Sequence, residues 1–151
     1  MQKPIPGNIE NQFPLSLVTE PLWIKKNLDV ELDLLTCRVM ADRELFEQVW
    51  QNLITNAIKY SDENNRIVVQ MKNSGQAVLV HVIDTGRGIP KEDLPYIFDR
   101  FYMVDKSRSR SGGGSGLGLS IAKKIIELHS CKIDVESEEG KGTCFTVSIP
   151  L

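Results

Sequence analysis

The chain has 151 residues, of which 41% are hydrophobic and 25% are charged, as expected for one globular domain with its own core. Its net charge of −2 excludes a general attraction to nucleic acid or anionic membranes, so we expect no nucleic-acid partner and only local anion sites. Three scattered cysteines fit no metal motif or disulfide framework, and no apolar run approaches the ~20 residues of a membrane span, which favours a cytoplasmic domain.

The first residues are rich in proline and polar side chains, which predicts a linker or disordered start over 1–13 and a folded domain over 14–151. A short helix is expected over Thr19–Lys26. Apolar and charged residues alternate over Asp29–Leu34, which predicts a half-buried strand, and Arg38–Ala41 is expected to form a second strand.

A long helix is predicted to begin after Asp42, a good N-cap residue, and to end near Tyr60. Its expected core row has four-residue spacing and consists of Leu45, Val49, Leu53 and Ala57. Beside that row, Asn52, Asn56 and Lys59 form a polar stripe. The two amides could bond to nearby backbone, or they could face a cleft, where amide oxygens would ligate Mg²⁺ and Lys59 would meet phosphate.

Ile67–Lys72 and Val78–Ile83 are predicted strands joined as a hairpin by the turn between them. The second strand runs directly into Asp84-Thr-Gly-Arg-Gly88. Aspartate and glycine are common in turns, so this pentapeptide could be a turn and nothing more. It could also place an ionised carboxylate where an adenine amine would donate, with glycines that let the ring lie against the backbone.

A short helical piece is expected over Leu94–Phe98, followed by a mobile loop over Asp99–Ser115 with little core-forming periodicity. We expect the rings of Phe98 and Phe101 to be core anchors. Arg100 lies between them, and its forked guanidinium suits a phosphate.

The run from Gly112 to Leu119 reads GGGSGLGL and leads into a predicted amphipathic helix over Leu117–His129. The inward residues of this helix are expected to be Ile121, Ile125 and Leu128. The first glycines suit a flexible linker. The later ones would expose backbone amides at a helix N-terminus, which is a favourable anion site: Gly114, Gly116 and Gly118.

Two more strands, Lys132–Ser137 and Thr143–Ile149, are predicted to close the chain as a hairpin. Consecutive hairpins argue against an all-parallel sheet. We therefore expect an α/β (α+β) two-layer sandwich, with a mixed, mostly antiparallel sheet of about five strands and about three helices on one face.

Four of these blocks, in this order, resemble the catalytic ATP-binding domain of sensor histidine kinases, whose fold is shared with gyrase, Hsp90 and MutL. Asn52–Ser61 is similar to the N box, Asp84–Ile89 to the G1 box, Ile97–Tyr102 to the F box and Gly114–Leu119 to the G2 box. The ending over 142–150 also matches, so the resemblance covers about Pro14 to Leu151.

The resemblance implies ATP and Mg²⁺ as cofactors and assigns roles to matching positions. Asn56 would coordinate Mg²⁺ with support from Asn52, and Asp84 would read the adenine amine with help from Thr143 through water. Contacts to phosphate or ribose would come from Lys59, Tyr60 and Arg100. Further nucleotide contacts would come from Gly86, Gly88, Ile89, Gly114, Gly116, Leu117, Gly118 and Leu119. A lid over the nucleotide would extend from about Met103 to Gly113.

Asn52 favours one subclass of this family by its chemistry. ATPases and serine kinases of this fold carry a glutamate at this position as a general base, whereas an amide cannot take a proton. A neutral histidine needs less activation as a nucleophile, so Asn52 favours phosphoryl transfer to histidine. The alternatives are an ATPase or serine kinase of the same fold, or a degenerate domain that serves as a docking module.

The resemblance also implies partners outside this sequence. The family phosphorylates a histidine on a separate dimerising helical domain and passes the phosphoryl group to a response regulator, while His81 and His129 are both expected to be structural. We therefore expect a monomeric fragment of a longer protein that could be anchored in a membrane elsewhere. Cys131 occupies a position where the family usually has glycine.

Overall fold

The computed structural model describes residues 6–8, 26–104 and 116–151. Most of the expected linker, most of the expected helix over Thr19–Lys26 and most of the expected lid lie outside these described residues. Residues 6–8, within the expected linker, form a strand. Within them the strands are β1 (Pro6–Asn8), β2 (Asp29–Asp33), β3 (Arg38–Met40), β4 (Arg66–Asn73), β5 (Ala77–Asp84), β6 (Lys132–Glu138) and β7 (Gly142–Pro150). The helices are α1 (Arg43–Tyr60), a 3-10 turn over Leu94–Tyr96 and α2 (Gly118–Leu128).

The main sheet has five strands in the order β2-β4-β5-β7-β6. β2 runs parallel to β4, and every other pair in this sheet is antiparallel. The predicted α+β class with a mixed, mostly antiparallel sheet is confirmed. β3, which was predicted as a strand, pairs with β1 in a separate two-stranded sheet.

Strict alternation along β4, β5 and β7 places one set of side chains against the helices. This inner face is built from apolar residues that are at most 4% exposed: Ile67, Val69, Met71, Val78, Val80, Val82, Phe145, Val147 and Ile149. Because Asp84 and Thr143 continue the same alternation, their side chains also lie on the inner face, at the ends of their strands.

α1 follows its sequence signals closely. Oδ1 of Asp42 accepts a hydrogen bond from the Leu45 amide at 3.0 Å, which confirms the N-cap. Three of the four residues in the expected core row are buried, and Leu45 is half-buried. The expected row is too narrow, because Phe46 and Trp50 are both 0% exposed and form the largest part of the helix's buried face.

The prediction for the buried face of α2 was wrong at two positions. Ile121 is 42% exposed and Leu128 is 64% exposed, whereas Ala122 and Ile126 are 0% exposed beside the correctly placed Ile125. α2 packs against α1 as well as the sheet. A small alanine at the contact lets two helices approach closely, so the helix turns its Ala122 edge inward.

Phe101 was also expected in the core and instead is 70% exposed, at a residue with φ of +64°. Its neighbour Phe98 is half-buried and meets Phe145 edge-on at 6.2 Å between ring centroids, as expected for a core anchor. The described residues contain two α-helices and the 3-10 turn, slightly fewer full helices than the three expected.

Candidate functional site

A cavity of about 520 Å³ lies between α1, the loop after β5, the start of α2 and the β6–β7 turn. This volume is within the usual range for small-molecule and cofactor sites. It brings together most of the residues that the sequence singled out: Asn52, Asn56, Lys59, Tyr60, Asp84, Gly88, Ile89, Gly116, Gly118, Leu119 and Thr143.

Some predicted residues do not line this cavity. Gly86 and Leu117 are sequence neighbours of residues that line the cavity. Arg100 is exposed on the surface, and Gly114 is outside the described residues. The lining also includes residues that sequence reasoning missed: Thr55, Arg87, Pro90, Ile97, Tyr102, Met103, Val104 and Glu139. The helical period of α1 could have found Thr55, because it lies three residues after Asn52. No sequence signal links Glu139 to the other elements.

Asp84 lines the cavity and is 6% exposed. Its Oδ1 accepts a hydrogen bond from the Gly86 amide at 2.9 Å. Burial raises the pKa of its carboxyl, while backbone hydrogen bonds from Gly86 and Thr143 partly oppose that rise. The buried carboxyl can therefore accept a further hydrogen bond, because its bonds to the protein backbone compensate only part of the cost of removing it from water.

The loop after Asp84 is fitted tightly between two other elements, which explains its glycines. A Cβ added to Gly86 would lie 2.5 Å from the carbonyl oxygen of Tyr60. Gly88 has φ of +70°, and a Cβ there would lie 2.1 Å from the Glu138 carbonyl oxygen. Only glycine permits both approaches, so the loop holds the end of α1 and the β6–β7 turn together.

The carboxyl end of α1 is fixed by Lys26. Its Nζ donates to the carbonyl oxygens of Ile58, Lys59 and Ser61 at 2.9, 3.1 and 2.7 Å. Carbonyl oxygens at the end of a helix have no amide donor from a following turn, so Lys26 supplies the missing hydrogen bonds. Burial lowers the pKa of Lys26, and the positive charge of Arg87 lowers it further. Arg87 itself is ion-paired with Asp62 at 2.9 Å.

At the other end of the fold, His129 links the two helices. Its Nδ1 lies 2.7 Å from the Ile125 carbonyl oxygen and its Nε2 lies 3.1 Å from the Asp42 amide nitrogen. A carbonyl can only accept and an amide can only donate, so Nδ1 carries the hydrogen and Nε2 accepts. The expected structural role of His129 is thus supported by contacts on both ring nitrogens.

The amides of Asn52 and Asn56 face the cavity and not the backbone. Neither has a hydrogen-bond partner among the residues that the structure describes. The start of α2 lies close by, because a Cβ added to Gly118 would be 3.3 Å from Oδ1 of Asn52. Of the two interpretations of the polar stripe, the contacts favour the cleft over backbone hydrogen bonding.

These two amides also fit the chemistry of a hard cation, which prefers oxygen ligands. No group of three or more histidine, cysteine, aspartate or glutamate side chains within the described ranges could hold a metal.

Comparison with known proteins identifies the family. Residues 41–151 match the model of the family described as "Histidine kinase-, DNA gyrase B-, and HSP90-like ATPase", and the chain belongs to this family. Within it the chain is a histidine kinase type of catalytic domain. It is 35% identical to the catalytic domain of histidine kinase ThkA, with a TM-score of 0.81 and coverage of 99% of this chain and 96% of that one.

Curated relatives support the same family. The chain is 45% identical over 141 residues to the signal transduction histidine-protein kinase ArlS of Staphylococcus epidermidis, a match that covers 92% of this chain and 27% of that protein. The chain therefore spans about a quarter of the length of this relative. A mycobacterial sensor histidine kinase, MprB, shares the fold with a TM-score of 0.81 at 22% identity, over 97% of each chain. In the described part of the chain, no helix is long and apolar enough to cross a membrane.

Proposed function

We propose that this domain binds Mg-ATP in the cavity and donates the γ-phosphoryl group to a histidine on a separate helical domain of a longer protein. One observation carries the proposal: a buried carboxylate, Asp84, shares a single cavity with a lysine on α1 and with two amides that have no hydrogen-bond partner in the part of the chain that the structure describes. In such a cavity, a nucleotide base that carries a hydrogen-bond donor would fit beside the carboxylate, and phosphates would fit beside the lysine and the amides.

The base would lie against Asp84. Its buried carboxyl can accept a hydrogen bond from an exocyclic amine, and Gly88 and Ile89 provide backbone and apolar surface beside it. The phosphates would lie towards Lys59 and the first turn of α2, where exposed amides at a helix N-terminus favour anions. Nζ of Lys59 now lies 5.4 Å from the centroid of the Tyr60 ring, a weak contact that a phosphate would readily replace.

Asn56, with Asn52 beside it, would provide the protein's oxygen ligands to magnesium. The ion would neutralise phosphate charge as transfer proceeds. The contribution of Asn52 is positional, because its amide could not accept a proton from water or from a hydroxyl. A neutral imidazole is already nucleophilic, so this arrangement suits a histidine acceptor.

Neither histidine of the chain is well placed to be that acceptor. Both ring nitrogens of His129 are in hydrogen bonds that join α1 to α2. His81 lies on the outer face of the sheet, away from the cavity, with Nδ1 2.9 Å from the Thr146 hydroxyl. The acceptor histidine therefore belongs on another domain, and a response regulator would be the next partner. A crystal structure contains histidine kinase ThkA in complex with the response regulator protein TrrA; the match covers 41% of the similar chain in it at 32% identity.

Nucleotide binding can be tested by calorimetry with ADP and GDP, with and without Mg²⁺. We expect Mg-dependent binding of ADP and much weaker binding of GDP, which has a carbonyl where adenine has its amine. Asn56→Ala should remove the dependence on Mg²⁺. Gln51→Ala deletes an exposed amide from the same helix and should leave both the affinity for ADP and its dependence on Mg²⁺ unchanged. A failure to bind any nucleotide would favour a docking module.

Transfer can be tested with ATP labelled at the γ-phosphate. The chain is mixed with the part of the staphylococcal relative that precedes the matched region, and the partner is examined for acid-labile phosphate. Label on the partner supports histidine phosphorylation. Rapid release of inorganic phosphate by the chain alone would instead favour an ATPase.

A further inference from the structure

Ser137, a half-buried residue of β6, lies behind the cavity and has no direct place in its lining. Its Oγ lies 2.8 Å from the Ile89 amide nitrogen, 3.0 Å from the Gly142 carbonyl oxygen and 2.8 Å from Oγ1 of Thr143. It thus contacts two segments beside Asp84: the loop after β5, through Ile89, and the start of β7, through Gly142 and Thr143.

Counting hydrogens fixes the direction of these bonds. The Ile89 amide can only donate, and the Gly142 carbonyl can only accept. Ser137 has a single hydroxyl hydrogen, so it donates that hydrogen to Gly142. The remaining bond, to Thr143, must then be donated by the Thr143 hydroxyl. Ser137 is fully satisfied, with one bond donated and two accepted.

The consequence concerns Thr143, which is 7% exposed and lines the cavity. A threonine hydroxyl can normally rotate to donate or accept as its ligand requires. Because its hydrogen is donated to Ser137, Oγ1 of Thr143 offers only lone pairs to the cavity. Thr143 is the direct cross-strand partner of Asp84, so two hydrogen-bond acceptors lie side by side in the wall of the cavity.

We propose that Ser137 is a positioning residue for base selection, which holds the Thr143 hydroxyl as an acceptor beside Asp84. This inference rests on the proposed function, since it names what makes the same cavity selective. A base whose edge presents an amine fits two acceptors. A base that presents a carbonyl in the same place meets lone pairs on both sides, directly or through a bridging water.

ADP and inosine diphosphate (IDP) are suitable probes, because hypoxanthine carries a carbonyl where adenine carries its amine. Both dissociation constants are measured by calorimetry for the wild type, Ser137→Val and Ser137→Thr. The two variants have the same side-chain shape and differ by one hydroxyl. Ser137→Ala serves as a second deletion, and denaturant unfolding shows that each variant is folded.

We expect Ser137→Val and Ser137→Ala to lower the preference for ADP over IDP by about tenfold, the size of effect typical of one mispaired polar group. The released Thr143 hydroxyl can then donate to the carbonyl of IDP. Ser137→Thr should keep the preference of the wild type. In a Thr143→Val background, Ser137→Val should have no further effect on the preference, because the group that it positions has been removed.

Equal weakening of ADP and IDP in Ser137→Val would show a merely structural role and overturn the inference. The inference also fails if Ser137→Val still lowers the preference in the Thr143→Val background. If the wild type and Ser137→Val prefer ADP over IDP to the same extent, the role of Ser137 is overturned and the proposed function still stands. A wild type that binds neither nucleotide overturns both.

Discussion

Replacing Asp84 by asparagine should separate nucleotide binding from stability. The substitution keeps the shape of the side chain, and its amide oxygen can still accept the hydrogen bond that the Gly86 amide donates at 2.9 Å. The substitution removes the negative charge of a side chain that is 6% exposed, and it leaves one acceptor oxygen for the two backbone amides, of Gly86 and Thr143, that donate to the carboxyl. Loss of that charge should weaken ligand binding and relieve a cost of folding.

The loss in binding follows from the hydrogen bond that the carboxylate would accept. Hydrogen bonds to charged groups contribute roughly 1.5–3 kcal/mol, which corresponds to a weakening of about 10- to 150-fold in the dissociation constant for ADP. The amide could also turn its NH₂ group towards the adenine amine, where two donors would face each other, so the upper part of this range is expected.

The gain in stability follows from the raised pKa. Burial lifts the pKa of Asp84 in the folded state above its ordinary value of 3.8, so the folded chain binds this proton more tightly than the unfolded chain does. The contribution of Asp84 to stability is therefore fully present below 3.8 and is lost as pH rises through the folded-state pKa. Above that pKa the buried charge remains a cost, which asparagine does not have.

The assay is urea unfolding of the ligand-free wild type and Asp84→Asn at pH 7 and at several lower values. Asp84→Asn should be at least as stable as the wild type at pH 7, and the gap should narrow as pH falls towards about 4, near the ordinary pKa of the carboxyl. Asp134→Asn makes the same chemical change at an exposed site on β6 and should alter neither stability nor ADP binding. A clearly lower unfolding midpoint for Asp84→Asn at pH 7 would refute the reasoning, because the backbone hydrogen bonds would then outweigh burial.

Three further predictions concern the supports of the site. Asn52→Glu should raise the rate of ATP hydrolysis, measured as released phosphate, because a carboxylate can take a proton from water; an unchanged rate would show that water is not positioned there. Lys26→Met should lower the free energy of unfolding by about 1–3 kcal/mol, since three carbonyl oxygens lose their donor while the methylene packing is kept; an unchanged urea midpoint would mean that water replaces the ammonium. His129→Asn can keep a donor for Ile125 but loses the acceptor for the Asp42 amide, so its free energy of unfolding should fall by about 1 kcal/mol, and by less than that of His129→Ala. Equal urea midpoints for the two His129 variants would contradict this assignment of donor and acceptor.

Much of the site could be predicted from short-range sequence patterns. The helical period puts Asn52, Asn56 and Lys59 on one side of α1, and alternation places Asp84 on the buried face of its strand. These relations depend only on the geometry of one element at a time. Their order along the chain was also enough to indicate the family.

The pairing of elements could not be predicted in this way. α2 carries apolar residues on more than one side, so its sequence fits either Ile121 and Leu128 or Ala122 and Ile126 as the buried edge. The surface of α1 decided between them. Phe101 was misplaced for a similar reason, because it lies in a segment without the periodic apolar pattern that would show which side is buried.

By itself, the sequence determined the longer helices and strands, the family and most of the key residues of the cavity, because hydrophobic periodicity and capping act within a few residues. Only the tertiary structure decided which distant groups meet. Lys26 reaches the end of α1, Thr143 lies beside Asp84 across β5 and β7, and Ser137 fixes the Thr143 hydroxyl. Such contacts depend on strand register and on one donor meeting one acceptor in space, and neither is encoded in the local pattern of the chain.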